Sequence, residues 1–168
     1  SVGGVCLVVG DRLYFYVSGR TGGTNTVGLA FLRRDGFASM DAGPEEGTLT
    51  TRSIRFSGKH LFVNVDDPKG ELRVEVLNRA GQVMAPFTSE ACVPLTTNRT
   101  LQMVRWKDVN DLAALRNQPI RLRFRLKNGR LYAFWVSPEA SAASRGYVAA
   151  GGPGFSSNRD LGNSTGRN

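Results

Sequence analysis

Histidine is nearly missing from this chain: His60 is the only one in 168 residues. That scarcity excludes His-rich metal centres and leaves any His-dependent catalytic triad resting on one side chain. His60 sits beside Lys59 just after a turn, where a surface or strand-start role is expected. Cysteine is almost as scarce. Cys6 and Cys92 lack CxxC spacing, so no zinc site is expected, and the pair is open between one disulfide and two buried free thiols. No run approaches twenty apolar residues, which excludes a membrane-spanning helix. Residues 1–10, SVGGVCLVVG, are apolar but carry no basic n-region or cleavage site, so they do not read as a signal peptide. There is no internal repeat, no heptad, no GxSxG, no HExxH, no Walker loop and no GxGxxG opening a helix.

What remains is an ordinary globular composition with a basic bias. Hydrophobic residues make up 40% and charged residues 21%, which argues against wholesale disorder. At 18.2 kDa the chain has room for one core. Lys and Arg number 22 against 14 Asp and Glu, a net +8 that attracts polyanions and says nothing about fold.

Short β-runs punctuated by Gly, Asn and Asp fill the sequence. Val5–Val9 and Leu13–Val17 flank the turn Gly10-Asp11-Arg12, Ser18 to Asn25 reads as a polar loop, and Val27–Arg33 stops at Asp35-Gly36. A meander is expected from Gly47 to Val76, with Leu49–Phe56, Leu61–Val65 and Glu71–Leu77 separated by Ser57-Gly58-Lys59 and by Asp66-Asp67-Pro68-Lys69-Gly70. Leu101–Trp106 is a further strand. Asp108–Leu115 holds the one plausible helical turn, stopped by Pro119. From Gly151 the chain is rich in Gly, Ser and Asn and is expected to be a poorly ordered arm unless something ties it down.

The clearest local signal is Asn128-Gly129, the preferred type I′ hairpin dipeptide, between Ile120–Leu126 and Leu131–Val136. A two-residue turn there sets the register. Ile120, Leu122, Phe124, Leu126, Leu131, Ala133 and Trp135 then share the core face. Arg121, Arg123, Arg125, Lys127 and Arg130 share the outer face with Tyr132 and Phe134. Leu72, Val74 and Val76 likewise point in, and Glu71, Arg73 and Glu75 point out. These outer charges either pair across neighbouring strands or form a cationic strip. In the second case Tyr132 and Phe134 would stack on a sugar, and Arg121, Arg123 and Arg125 would hold hydroxyls or an anion. Tyr147 and Trp106 are further aromatic candidates on strand faces that no register fixes.

No catalytic constellation stands out. The carboxylates Asp41, Glu45, Glu46, Asp66 and Asp67 suit turn formation first and a structural Ca²⁺ only weakly; no other cofactor is expected. Asn98-Arg99-Thr100 and Asn163-Ser164-Thr165 match the glycosylation sequon.

Several phrases, LYFYVSGR (13–20), LAFLRRDGFASMDAG (29–43), GTLTTRSIRFSGKHLFVNVD (47–66), GELRVEVLNRAG (70–81), DLAALRNQPIRLRFRLKNGRLYAFWVSP (111–138) and GYVAAGGPGF (146–155), resemble the C-terminal region of secreted bacterial proteins related to the levanase and invertase-type glycoside hydrolases. The resemblance implies the closing strands of a β-propeller blade followed by a β-sandwich. The catalytic carboxylates of such propellers lie in blades this sequence does not contain, so none carries over.

The expectation is therefore an all-β chain, an antiparallel, jelly-roll-like sandwich over 35–150, with a blade-like hairpin and strand over 1–34 and a tail over 151–168. Its expected role is a non-enzymatic, carbohydrate-binding accessory module of polysaccharide degradation, secreted or periplasmic. A structural buttress for a propeller is the alternative, and polyanion binding is a second one. Polysaccharide ranks ahead of nucleic acid as partner, a membrane is not expected, and oligomers would form through the N-terminal hairpin.

Overall fold

The computed structural model describes residues 2–148 and 151–162. The second sequon, at Asn163, lies outside the described residues. Within them the chain is all-β, with ten strands and a single 3₁₀ turn at Ala113–Leu115, and every strand pair is antiparallel.

β1 (Val2–Val9), β2 (Arg12–Thr21) and β3 (Thr24–Arg33) form a three-stranded meander. Gly10, at φ 56°, supplies the left-handed position of the first turn. The segment expected as a loop, Ser18 to Asn25, is instead the end of a long hairpin. Gly22 and Gly23 both take positive φ, so two residues suffice to reverse the chain and the flanking polar residues stay in the ladder.

The other seven strands build the sandwich: β4 (Met40–Ala42), β5 (Gly47–Thr50), β6 (His60–Asp66), β7 (Glu71–Leu77), β8 (Asn98–Met103), β9 (Arg121–Lys127) and β10 (Gly129–Ser137). One sheet has the order β4-β10-β6-β8 and the other β5-β9-β7. Consecutive strands therefore sit in opposite sheets: β4 crosses to β5, β6 to β7, and β9 to β10. Residues 82–95 run beside β7 as the remaining edge, through Met84 N–H to Val76 O, Val76 N–H to Phe87 O and a reciprocal Leu72–Leu95 pair. This is the connectivity of a jelly roll whose fifth strand, residues 82–95, is irregular.

The expected hairpin is absent. β9 pairs with β5 and β7, whereas β10 pairs with β4 and β6. Asn128 does adopt the left-handed conformation, at φ 47°, but Gly129 does not, so the backbone turns a corner between sheets. The glycine is needed for space. A Cβ on Gly129 would lie 2.7 Å from Asp67 Cβ, and one on Gly70 would lie 1.9 Å from Lys127 O. The β6–β7 and β9–β10 crossovers pack directly on each other, and each needs a glycine at the contact. The expected β6–β7 meander is a crossover for the same reason.

Leu61, Val63, Val65, Leu72, Val74, Val76, Leu122 and Phe124 are all nearly inaccessible and form the centre of the core. Full burial of each such side chain is worth about 1.5–3 kcal/mol. Trp106 completes the core, edge-on to Phe87 at 5.5 Å, and donates its indole N–H to Val74 O at 2.9 Å. The cysteines are free and separate, Cys92 in this core and Cys6 in the N-terminal sheet.

Candidate functional site

The five residues proposed from the sequence as a binding strip are not brought together. Arg121, Arg123 and Arg125 do lie outward on β9, opposite the buried Leu122, Phe124 and Leu126. Two of them are occupied. Arg123 Nη1 reaches Glu75 Oε1 at 2.8 Å, and Arg125 is shared between Glu46 at 2.8 Å and Glu75 at 3.3 Å. Arg121 Nε is buried, with no hydrogen-bond partner among the described residues.

The aromatic partners are elsewhere because β10 belongs to the other sheet and carries a bulge. Leu131 pairs with Val65 and Ala133 with Asn64, which leaves Tyr132 as the extra residue. A single extra residue inverts the alternation beyond it. Phe134 and Val136 thus join the core, and Trp135 turns outward to stack on Phe62 at 5.6 Å and to donate its indole N–H to Ala142 O at 3.1 Å. Tyr132 lies beneath the Arg33 guanidinium, 4.9 Å from the ring centroid. Trp106, a further aromatic candidate, is buried and unavailable to a ligand.

Of the carboxylates, Asp41 accepts from Ser39 and faces Arg130, and Glu46 pairs with Arg125. Among the described residues no three His, Cys, Asp or Glu side chains gather where a metal ion would sit.

One cleft does combine exposed rings with polar groups, and it lies where the N-terminal sheet meets the chain's last described segment. Arg33 and Asn64 fix the sheet to the sandwich: Arg33 Nε donates to Asn64 Oδ1 at 2.5 Å, and Asn64 Nδ2 donates to Arg34 O at 2.7 Å. Thr100 also donates to Asp11 in the β1–β2 turn. Arg34 and the residues after it consequently project beside Val8 and Leu13, the buried pair of the sheet's inner face.

The opposite wall comes from residues 144–148 together with the Gly-, Ser- and Asn-rich segment from Gly151, which is tied down here. Residues 145–148 and 158–160 form a small ladder through Arg145 N–H to Asp160 O, Val148 N–H to Asn158 O, and Asp160 N–H to Gly146 O. Val8 N–H donates to Gly151 O at 3.0 Å, and Gly152 lies so close to Val8 O that a Cβ there would stand 1.9 Å away. Val148 and Phe155 then cover the sheet.

The resulting cleft has a volume of about 250 Å³. Its floor is apolar (Cys6, Val8, Leu13), and Arg34, Asp35, Ser144 and Asp160 form the polar rim. Phe37 and Tyr147 flank it and are 71% and 73% exposed. Phe37 is braced edge-on by Phe15 at 6.3 Å. Tyr147 is held by Arg159, whose guanidinium lies 4.7 Å from the ring centroid and whose Nη2 donates to the phenol oxygen at 3.0 Å. Arg34 stands 3.6 Å from Asp35 and lies over Phe155.

Asp160 is the anchored carboxylate of the rim. Burial alone would raise its pKa, but the N–H groups of Ser144 and Gly162, at 3.0 and 3.2 Å, together with the charge of Arg34, hold it below the usual value. It therefore stays ionised and serves as a hydrogen-bond acceptor. A carboxylate so held is a poor proton donor.

Tyr147 is a candidate from sequence alone, but Phe37 lies 110 positions earlier and only the docked C-terminal segment brings the two to one cleft. The fold defines a jelly-roll-type β-sandwich with an appended three-stranded sheet. Comparison with protein-family models, curated proteins and solved structures returned no match to this chain.

Proposed function

We propose that this chain is a non-catalytic carbohydrate-binding module, an accessory to polysaccharide degradation outside the cytoplasm, and that it takes a sugar ring in the cleft between Phe37 and Tyr147. The observation that carries this reading is the pair of braced, exposed aromatic rings beside an ionised Asp160 and the Arg34–Asp35 pair. The negative face of an aromatic ring attracts the weakly positive C–H face of a sugar, while carboxylate and guanidinium groups fix its hydroxyls. The cavity is smaller than the roughly 300–1,000 Å³ of drug-sized sites, which suits one ring of a longer glycan. The strip on β9 no longer supports the reading, since its arginines are paired with Glu46 and Glu75 or partly buried.

The test is a screen of neutral and acidic polysaccharides at low and high salt, followed by titration of the best ligand. Affinity that survives salt and falls at least tenfold in both Phe37→Ala and Tyr147→Ala supports the cleft. Unchanged affinity in both variants refutes the cleft, and no affinity for any glycan refutes the reading.

A second reading, a buttress for a glycoside hydrolase propeller, is favoured by a different observation. Tyr16, Val27, Leu29 and Phe31 expose a row of apolar surface on one face of the β1–β3 sheet, and the outer edge of β3 has no strand partner among the described residues. Such a face suits burial against a neighbouring blade. The resemblance of the sequence to the end of a propeller points the same way. Failure to bind glycan, together with self-association that Val27→Lys abolishes, favours this reading over the first.

A further inference from the structure

Beyond the cleft, a groove opens at the far edge of the sandwich. Residues 91–107 fold back on themselves: Lys107 N–H donates to Ala91 O and Val93 N–H to Arg105 O. Past that closed end the two arms part. Leu95 goes to β7 in one sheet, and β8 goes to β6 in the other. Between the arms lies a groove of about 550 Å³ with Pro94, Thr96 and Thr97 on one bank and Arg99, Gln102 and Arg105 on the other.

Three features of this groove point to one kind of ligand. β8 is the last strand of its sheet, so one side of its backbone has no strand partner among the described residues. Arg99 and Arg105 are exposed, neither joins an ion pair among the described residues, and no carboxylate lines the groove. Lys107, also exposed and in no ion pair among the described residues, extends the positive potential past the closed end. Finally, no aromatic ring among the described residues lines the groove, so the groove offers a base or a sugar no stacking surface there.

We propose that this groove binds an extended acidic peptide that adds to the free edge of β8, with its carboxylates on Arg99 and Arg105. Backbone pairing along an open edge gives affinity in such complexes, and the flanking side chains select the sequence. Arg99 and Arg105 stand six positions apart across the irregularity between Arg99 and Gln102 and the end of β8 at Met103, so at about 3.3 Å per residue they are at most on the order of 20 Å apart, and a segment of six to eight residues would engage both. Charge on an edge strand ordinarily discourages pairing with copies of the same chain. A partner of opposite sign turns that guard into a selector.

Fluorescence anisotropy with two labelled peptides of equal charge, (Glu-Val)₄ and (Glu-Pro)₄, tests both halves of the proposal. Proline removes every second N–H and leaves the charge unchanged. Binding of (Glu-Val)₄ should be at least tenfold tighter than that of (Glu-Pro)₄, and Arg99→Ala with Arg105→Ala should weaken it at least tenfold. Both arginines are exposed, so these variants leave the core intact. Equal binding of the two peptides, or tighter binding of heparin or of single-stranded RNA at the same site, would overturn the assignment in favour of unselective polyanion attraction. No binding of (Glu-Val)₄ would also overturn it.

Discussion

Phe134 meets Phe124 across the sandwich with ring centroids 5.0 Å apart, one ring from β10 and the other from β9. Two residues expected on opposite faces of a hairpin are thus partners in one core. The stability consequence is direct. Phe134→Ala should destabilise the fold by about 3 kcal/mol, the lower end of the range for buried phenylalanine, because this ring is only partly buried. Tyr132→Ala removes a ring that contacts Arg33 on the outer surface and should cost only about 1 kcal/mol. Urea denaturation of both variants checks the order. A larger loss for Tyr132→Ala would mean the bulge is misplaced.

That contrast also shows what the sequence makes legible. The alternation in β9 is regular, and its inward Leu122, Phe124 and Leu126 are read correctly from period two alone. β10 is just as alternating on paper, but the bulge at Tyr132 inverts its parity, and nothing local in RLYAFWV announces an extra residue. Asn128-Gly129 misleads for a related reason. The dipeptide reports a left-handed Asn128, which is present, but cannot report that the glycine serves contact with Asp67 and not a turn. Leu72, Val74 and Val76 inward with Glu75 and Arg73 between them were legible, as were the strand bounds Glu71–Leu77. The cleft was not, since Phe37 and Tyr147 meet only through tertiary docking.

Glu75 is the hub of the outer face of β7 and β9. Its side chain is almost inaccessible, yet it accepts from Arg123 and Arg125 together. Glu75→Ala would leave two arginines facing each other across an emptied position. Because both are partly exposed, water relieves some of that repulsion, and the expected loss is about 1–3 kcal/mol, below that for a fully buried pair. The double variant with Arg123→Ala should lose less than the sum of the two single variants. Strict additivity in that cycle would show that the pair does not interact.

The crossover contact gives a sharper prediction. At Gly70 a methyl group would collide with the carbonyl oxygens of Lys127 and Asn128, at 1.9 and 2.4 Å, and both belong to backbone that cannot swing aside. Gly70→Ala should therefore shift the β6–β7 and β9–β10 corners apart and lower the melting temperature more than Phe134→Ala or Glu75→Ala. Gly43→Ala is the control, since open space surrounds that position. Equal melting temperatures for the two variants would contradict the close approach of the crossovers.

Asp67 sits in the same corner and gives the fold a pH dependence of definite sign. Burial raises its pKa above the ordinary 3.8, against the opposing hydrogen bond from Thr97 N–H to Oδ1 at 2.6 Å, and Oδ2 has no hydrogen-bond partner among the described residues. A carboxyl whose folded pKa exceeds its unfolded one binds more protons in the native state. Its contribution is thus greatest below pH 3.8 and declines as the pH climbs through the raised folded value. Asp160, held below its usual value, contributes in the opposite direction as the pH falls. The two are separated by difference. Asp67→Asn keeps an acceptor for Thr97 and abolishes the ionisation, so its stability relative to wild type should rise from acid pH toward neutrality. Chemical denaturation of both proteins between pH 3 and 8 would show this as diverging curves, whereas parallel curves would mean that the buried carboxyl ionises as readily in the fold as in water.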